Sequence, residues 1–173
     1  ITIDKYEGEG SSLLYSLSRA KESLQEPFVF HACDTITFSD IPAPAGNWIA
    51  GFKGLGSSSY ASFSTLGKKV TEMHFKGYIN SDFLHVGLLG IHEFADFWAK
   101  VDEILAKRGD DPTIGDVDVL KELVHSHDFR ALELGSWLDM GNVDSLELAR
   151  KAISDDDFHI LDKLAESIYK VDG

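Results

Sequence analysis

The stretch Pro27-Phe28-Val29-Phe30-His31-Ala32-Cys33-Asp34 constrains this chain more than any other. It is an apolar run that follows a helical pattern and stops abruptly on an acid, which predicts a strand buried on both faces of a parallel sheet. Such a strand delivers its terminal carboxylate to the C-terminal edge, where open α/β sheets hold ligands. A second acid stands in a similar setting in Trp137-Leu138-Asp139-Met140-Gly141. Two carboxylates converging on one crevice would form a site for a divalent cation that handles phosphates. The plainer role for Asp139 is to cap the helix that follows it.

Composition narrows the classes. A chain of 173 residues, 43% of them hydrophobic, is long enough for about one domain with a real core. No apolar run is long enough to cross a bilayer, and the start has no signal-peptide pattern. The single cysteine, Cys33, excludes an internal disulfide and fits a reducing cytoplasm. A carboxylate beside it should raise the thiol pKa, so the expectation is a buried, inert cysteine. A net charge of −13 argues against a nucleic-acid surface, which needs clustered Lys and Arg. It leaves anionic small substrates open, because a bound metal can reverse the field locally. The chain starts on Ile1 without Met and ends on Gly173, and both ends read as cut.

Ile1-Thr2-Ile3 is a short β-favouring run. Leu13, Leu14, Leu17, Ala20 and Leu24 recur at helical spacing, with Ser11 or Ser12 as N-cap and an end near Gln25. The order strand, loop, helix, strand then predicts Gly10-Ser11-Ser12 beside Asp34. Further strands are expected at 47–52 and 82–91, and a hairpin at 57–75 turning at Gly67. Phe94, Phe97, Trp98, Val101, Ile104 and Leu105 mark the clearest helix, stopped by Gly109. Thr113 and Asp116 resemble a capping box for a helix carrying Val117, Leu120, Leu123 and Val124. A strand at 129–134 and a helix capped by Asn142 or Asp144 complete a domain over 1–153. Residues 154–173, opening on Ser154-Asp155-Asp156-Asp157, read as a linker or the start of a further unit.

Several segments, taken together in this order and spacing, resemble the sugar-phosphate nucleotidyltransferases of the glucose-1-phosphate thymidylyltransferase type. They are Gly10-Ser11-Ser12 before a helix, Phe28 to Asp34, Lys68 to Gly77, Val86-Gly87-Leu88 and Trp137 to Asn142. The resemblance implies an α/β fold: a Rossmann-like mixed, mainly parallel sheet flanked by helices, truncated at the N-terminus. A first strand missing beside Phe28–Ala32 would leave that sheet edge uncovered. The implied reaction joins a nucleoside triphosphate to a sugar 1-phosphate with release of pyrophosphate, using Mg²⁺, in nucleotide-sugar and polysaccharide biosynthesis in the cytoplasm. The implied partners are these small molecules, without nucleic acid or membrane, and a homo-oligomer is compatible.

By the same resemblance Asp34 and Asp139 hold the metal, Gly10 and Ser11 lie at the nucleotide, Ala61 and Gly87 at the sugar, and Lys76 at the sugar phosphate. The chain departs from the family where Phe75 and Gly77 flank Lys76 in place of Glu and Pro, and where Ala61 replaces a glycine. No glycine-rich loop bearing Arg and Lys is present. Gly51 to Ser57 is glycine-rich but has neither phosphate-loop nor dinucleotide-loop spacing. The alternative of another class is a non-catalytic module of the same fold that binds a sugar nucleotide or a partner. Rival motifs are poor: His92-Glu93 lacks a second His four residues on, and His125 and His127 do not share a helical face. No serine sits in a Gly-x-Ser-x-Gly elbow.

Overall fold

The computed structural model describes residues 1–53 and 58–154. In chain order its elements are α1 (Leu13–Ser18), β1 (Phe28–His31), β2 (Thr35–Ile36), β3 (Asn47–Phe52), β4 (Ser62–Leu66), β5 (Lys69–His74), β6 (Phe83–Ile91), α2 (Phe94–Arg108), α3 (Asp116–Ser126), β7 (Phe129–Glu133), β8 (Leu138–Asp139) and α4 (Val143–Ser154).

Six strands form one sheet in the order β1-β6-β3-β7-β5-β4, and β4 pairs in addition with the start of β6. The sheet is mixed and flanked by helices, as expected, but it lacks the expected parallel majority. Only β3 and β7 pair in parallel among the described strands. The reason lies in β6, which is inserted between β1 and β3 against the direction both share. β1 is antiparallel to its neighbour and is buried on one side only, with Phe28 buried and Val29 and His31 exposed. It is neither the parallel strand nor the strand buried on both faces that the sequence suggested. β1 pairs with β6 alone, and its outer edge is uncovered among the described residues, in line with expectation.

The pleat sorts side chains to two sides of this sheet. Ile49 of β3 and Phe83, Leu89 and Ile91 of β6 join α1, α2 and α3 in the larger core, around Phe97, Trp98, Leu120 and Phe129. Trp48, Ala50, Leu84, Val86 and Leu88 form a second core on the opposite face with Leu134 and Trp137. A third, small cluster packs Ala149 and Ala152 of α4 on Leu138 of the β2–β8 ribbon. The helices obey local chemistry. Ser12 caps α1 by accepting from the Tyr15 N–H at 3.0 Å. The Asn47 side chain accepts from the backbone N–H groups of His92 and Glu93, at 2.8 and 3.3 Å, at the entrance to α2. Asn142 accepts from Ser145 N–H at 2.9 Å before α4.

Four local expectations are corrected. Ile1–Ile3 is not a strand; no ladder reaches it, and Ile1 is 78% exposed. α1 ends at Ser18 and gives way to a 3-10 turn at Lys21–Ser23, where Trp98 Nε1 ties the exit down by donating to the Leu24 carbonyl at 2.7 Å. α3 starts after Gly115, whose N–H donates to Asp118 at 2.8 Å, while Thr113 is held by Asp111. Cys33 is exposed rather than buried, because the last ladder bond at this end joins Ala32 N–H to Gly87 and the chain then turns back through Thr35 N–H onto Ala32. The glycine-rich stretch falls in part on residues 54–57, outside the described residues; of the proposed linker, 154–173, Ser154 ends α4 and the rest lies outside the described residues.

Candidate active site

A cleft of about 400 Å³ opens where β1, β6, the segment leading into β4, the start of α3 and the β2–β8 ribbon meet. Asp34 stands three residues past the end of β1, and Asp139 is the last residue of β8. The ribbon joins them: Thr35 faces Asp139 in its register, and Met140 N–H donates to the Asp34 carbonyl at 2.8 Å. Thr35 also anchors the ribbon to the main sheet, donating to the Val86 carbonyl at 2.9 Å.

Gly141 measures how close the two acids come. A Cβ placed there would stand 3.2 Å from both Asp139 Oδ1 and Asp34 Oδ2. The two oxygens are therefore separated by at most twice that distance. Asp139 is held on both sides, accepting from Gly141 N–H at 3.1 Å and from the Tyr60 hydroxyl at 2.9 Å. It does not cap α4, a task Asn142 performs. Asp34 is exposed, and its carboxylate has no hydrogen-bond or ion-pair partner among the described residues. Burial and the charges of Asp139 and Asp34 push the Tyr60 hydroxyl above its ordinary pKa, so it remains a donor. Its ring meets Trp137 edge-on at 5.0 Å, which fixes the phenol against the cleft wall.

Lys76 lines the same cleft, two residues past β5, exposed and without an ion-pair partner among the described residues. Ala61 and Gly87 line it too. Gly87 has φ +71°, and a Cβ on it would lie 2.7 Å from that of Ala32, so the close approach of β1 to β6 requires glycine here. Gly10 and Ser11 are not among the lining residues. Gly10, with φ +77°, sits 3.6 Å from the Gly109 carbonyl as measured from its ideal Cβ, and Ser11 donates to the Gly8 carbonyl at 2.7 Å. The nearest residue to that loop that lines the cleft is Leu13, which opens α1.

Two lining residues escaped the sequence reading. Tyr60 left no signal beyond standing beside Ala61. His85 did leave one, being a polar residue in the otherwise apolar run Phe83 to Ile91, and a buried polar group demands a partner. That partner is Asp116, whose Oδ2 lies 2.7 Å from His85 Nε2. Burial pushes the Asp116 carboxyl up, but His85 and the backbone N–H groups of Val117 and Asp116 outweigh it and hold the carboxyl below its ordinary range. No cluster of three or more metal-ligating side chains exists among the described residues, the His92 and His125–His127 segments included. Two carboxylates suffice for Mg²⁺, which fills its other positions with water and phosphate oxygens. With oxygens within 6.4 Å of each other, twice 3.2 Å, the two carboxylates are close enough to share such an ion after small side-chain rotations.

No protein-family model and no curated protein sequence matches the chain. Solved structures do. A UDP-glucose pyrophosphorylase complexed with UDP-glucose superposes with a TM-score of 0.69 at 16% identity, covering 86% of this chain and 64% of that one. The CTP:phosphocholine cytidylyltransferase of Streptococcus pneumoniae gives 0.68 at 14% identity, over 87% of this chain and 67% of the other. The inositol-1-phosphate CTP transferase of T. maritima gives 0.58 at 11%, over 78% and 57%. The chain thus spans a little under two thirds of the first of these. It has the fold of the sugar-phosphate nucleotidyltransferases.

Proposed function

We propose that this chain carries the catalytic cleft of a nucleotidyltransferase that couples a nucleoside triphosphate to a sugar 1-phosphate or similar phosphorylated small molecule, releasing pyrophosphate. The observation that carries the reading is the convergence of Asp34 and Asp139 on one point of the cleft in a protein of this fold. Asp34 and Asp139 would hold Mg²⁺, which when bound neutralises charge on the phosphate oxygens. The residues of the chain do the positioning. Tyr60 and Gly141 N–H fix the Asp139 carboxylate, Lys76 steadies the attacking phosphate, and the wall formed by Ala61 and Gly87 receives the body of the acceptor. No general base is needed, because a phosphate is already ionised at neutral pH. Rate enhancement then rests on holding the phosphate oxygen in line with the α-phosphorus.

The test is a turnover screen of the full-length protein with four nucleoside triphosphates, Mg²⁺ and a panel of phosphorylated sugars and alcohols, scored by pyrophosphate release. Release that depends on both substrates and vanishes in Asp34→Asn supports the transferase. Tight binding of a nucleotide sugar without any turnover would instead favour the non-catalytic module.

A further inference from the structure

The odd-numbered side chains of β6 face the helices, and there Phe83, Leu89 and Ile91 are apolar. His85 enters the same stripe and lies under the first turn of α3, where Asp116 receives it. The imidazole is only 4% exposed, yet the residue forms part of the cleft wall together with Gly87 and Lys76. Its Nε2 is committed to Asp116, while Nδ1 is buried and has no hydrogen-bond partner. A buried polar atom left unpaired is costly, and each one in a native protein calls for an explanation.

The pair constrains what that atom can be. An ionised carboxylate only accepts, so the Nε2 that faces it carries a proton, and in the neutral form of the ring Nδ1 is then a bare lone pair. A lone pair needs a donor. Neither an ionised phosphate nor a quaternary ammonium group has one, whereas a hydroxyl does. We propose that His85 is a specificity residue of the cleft, its Nδ1 accepting a hydrogen bond from a hydroxyl of the phosphorylated acceptor, with Asp116 as the positioning residue that fixes the tautomer. The inference rests on the transferase reading of the cleft. Nδ1 is buried without a protein partner, and the donor assigned to it is a group seated in the cleft that His85 lines.

The experiment uses the full-length protein with Mg²⁺ and three probes: glucose 1-phosphate, myo-inositol 1-phosphate and phosphocholine, which has no hydroxyl. Calorimetry should show that His85→Phe weakens binding of a hydroxyl-bearing probe by about tenfold, the scale of one hydrogen bond, and leaves phosphocholine binding unchanged. Nitrogen NMR of wild type removes any dependence on the variant's folding. Nδ1 should resonate as an unprotonated nitrogen and shift when a hydroxyl-bearing probe is added. In Asp116→Asn the ring should lose its single tautomer. Equal binding of a hydroxyl-bearing probe by wild type and His85→Phe would overturn the role of His85 and leave the transferase standing. So would preference of wild type for phosphocholine, or a protonated Nδ1. If wild type binds none of the phosphates, the transferase reading fails and this inference fails with it.

Discussion

Asp34 and Asp139 share a proposed role, but their surroundings predict opposite effects on stability when each is changed to Asn. Their oxygens lie within 6.4 Å, twice the 3.2 Å from each to the Gly141 Cβ position. Two unit charges at that separation repel by about 0.6 kcal/mol at the dielectric of water, and by more where the cleft excludes it. Asp34→Asn removes this repulsion and sacrifices no hydrogen bond, so the fold should be unchanged or stabilised by up to about 1 kcal/mol. Asp139→Asn removes the same repulsion but cannot keep both of its bonds, to the Tyr60 hydroxyl and to Gly141 N–H. An amide has one acceptor oxygen, so one donor then faces an NH₂ group. Losing one hydrogen bond to a charged group costs roughly 1.5–3 kcal/mol, a net loss of about 1–2 kcal/mol. In a domain of this size each kcal/mol shifts Tm by about 2–4 °C. Thermal melts in EDTA should place Asp34→Asn at or above wild type and Asp139→Asn several degrees below it. Adding Mg²⁺ should raise the Tm of wild type and of neither variant, since an ion bound only by the folded state stabilises it by mass action. Equal destabilisation by the two substitutions would refute the asymmetry, and a Tm shift with Mg²⁺ that survives in both would refute the shared metal site.

Lys76→Ala should raise KM for the phosphorylated acceptor and lower kcat/KM by about 10²-fold through loss of one charge-assisted hydrogen bond, without moving Tm; unchanged kinetics would return Lys76 to an ordinary surface residue. Gly90→Ala places a Cβ 2.3 Å from the Trp48 ring, so chemical denaturation should show a loss of about 2–4 kcal/mol as β3 and β6 are forced apart. His74, whose ring stacks on Tyr78 at 3.8 Å, has its pKa lowered by burial, so the unfolded chain binds protons more readily. Stability should fall as pH drops through the ordinary histidine range towards the lower folded value, and His74→Gln should flatten that dependence in denaturant titrations at pH 7 and pH 5.

The elements legible in the sequence are those whose pattern had only one reading. Asn47–Phe52, Phe83–Ile91, α2 and the body of α3 are long or strongly periodic, and burial of their apolar faces decides their structure. Strand direction and two-faced burial were misread in Phe28–Ala32, because Val29 is apolar yet exposed on an edge strand that pairs on one side only. Ile1–Ile3 shows the limit of propensity, since β-branched residues form no strand without a partner edge. Cys33 was misjudged because the ladder ends one residue earlier than the apolar run does. Within the site, the aspartates were legible as acids ending apolar segments. Asp116 was hidden in the role of a helix-start residue, and its bond to His85 joins two elements that no local pattern connects.

The β2–β8 ribbon has a kinetic consequence. It is two residue pairs long, and the bonds that continue it join Thr37 and Ser136 across 99 residues of chain. Loop-closure entropy for such a separation must be met before so short a ladder can return anything, so the ribbon cannot nucleate folding and must form after the main sheet has brought its ends together. The acids it aligns are brought into place after the main sheet has formed rather than before it. A partly folded species that retains the β3–β6 core without the ribbon will have separated aspartates, so affinity at the proposed cation site would report completion of the fold more sensitively than secondary structure does.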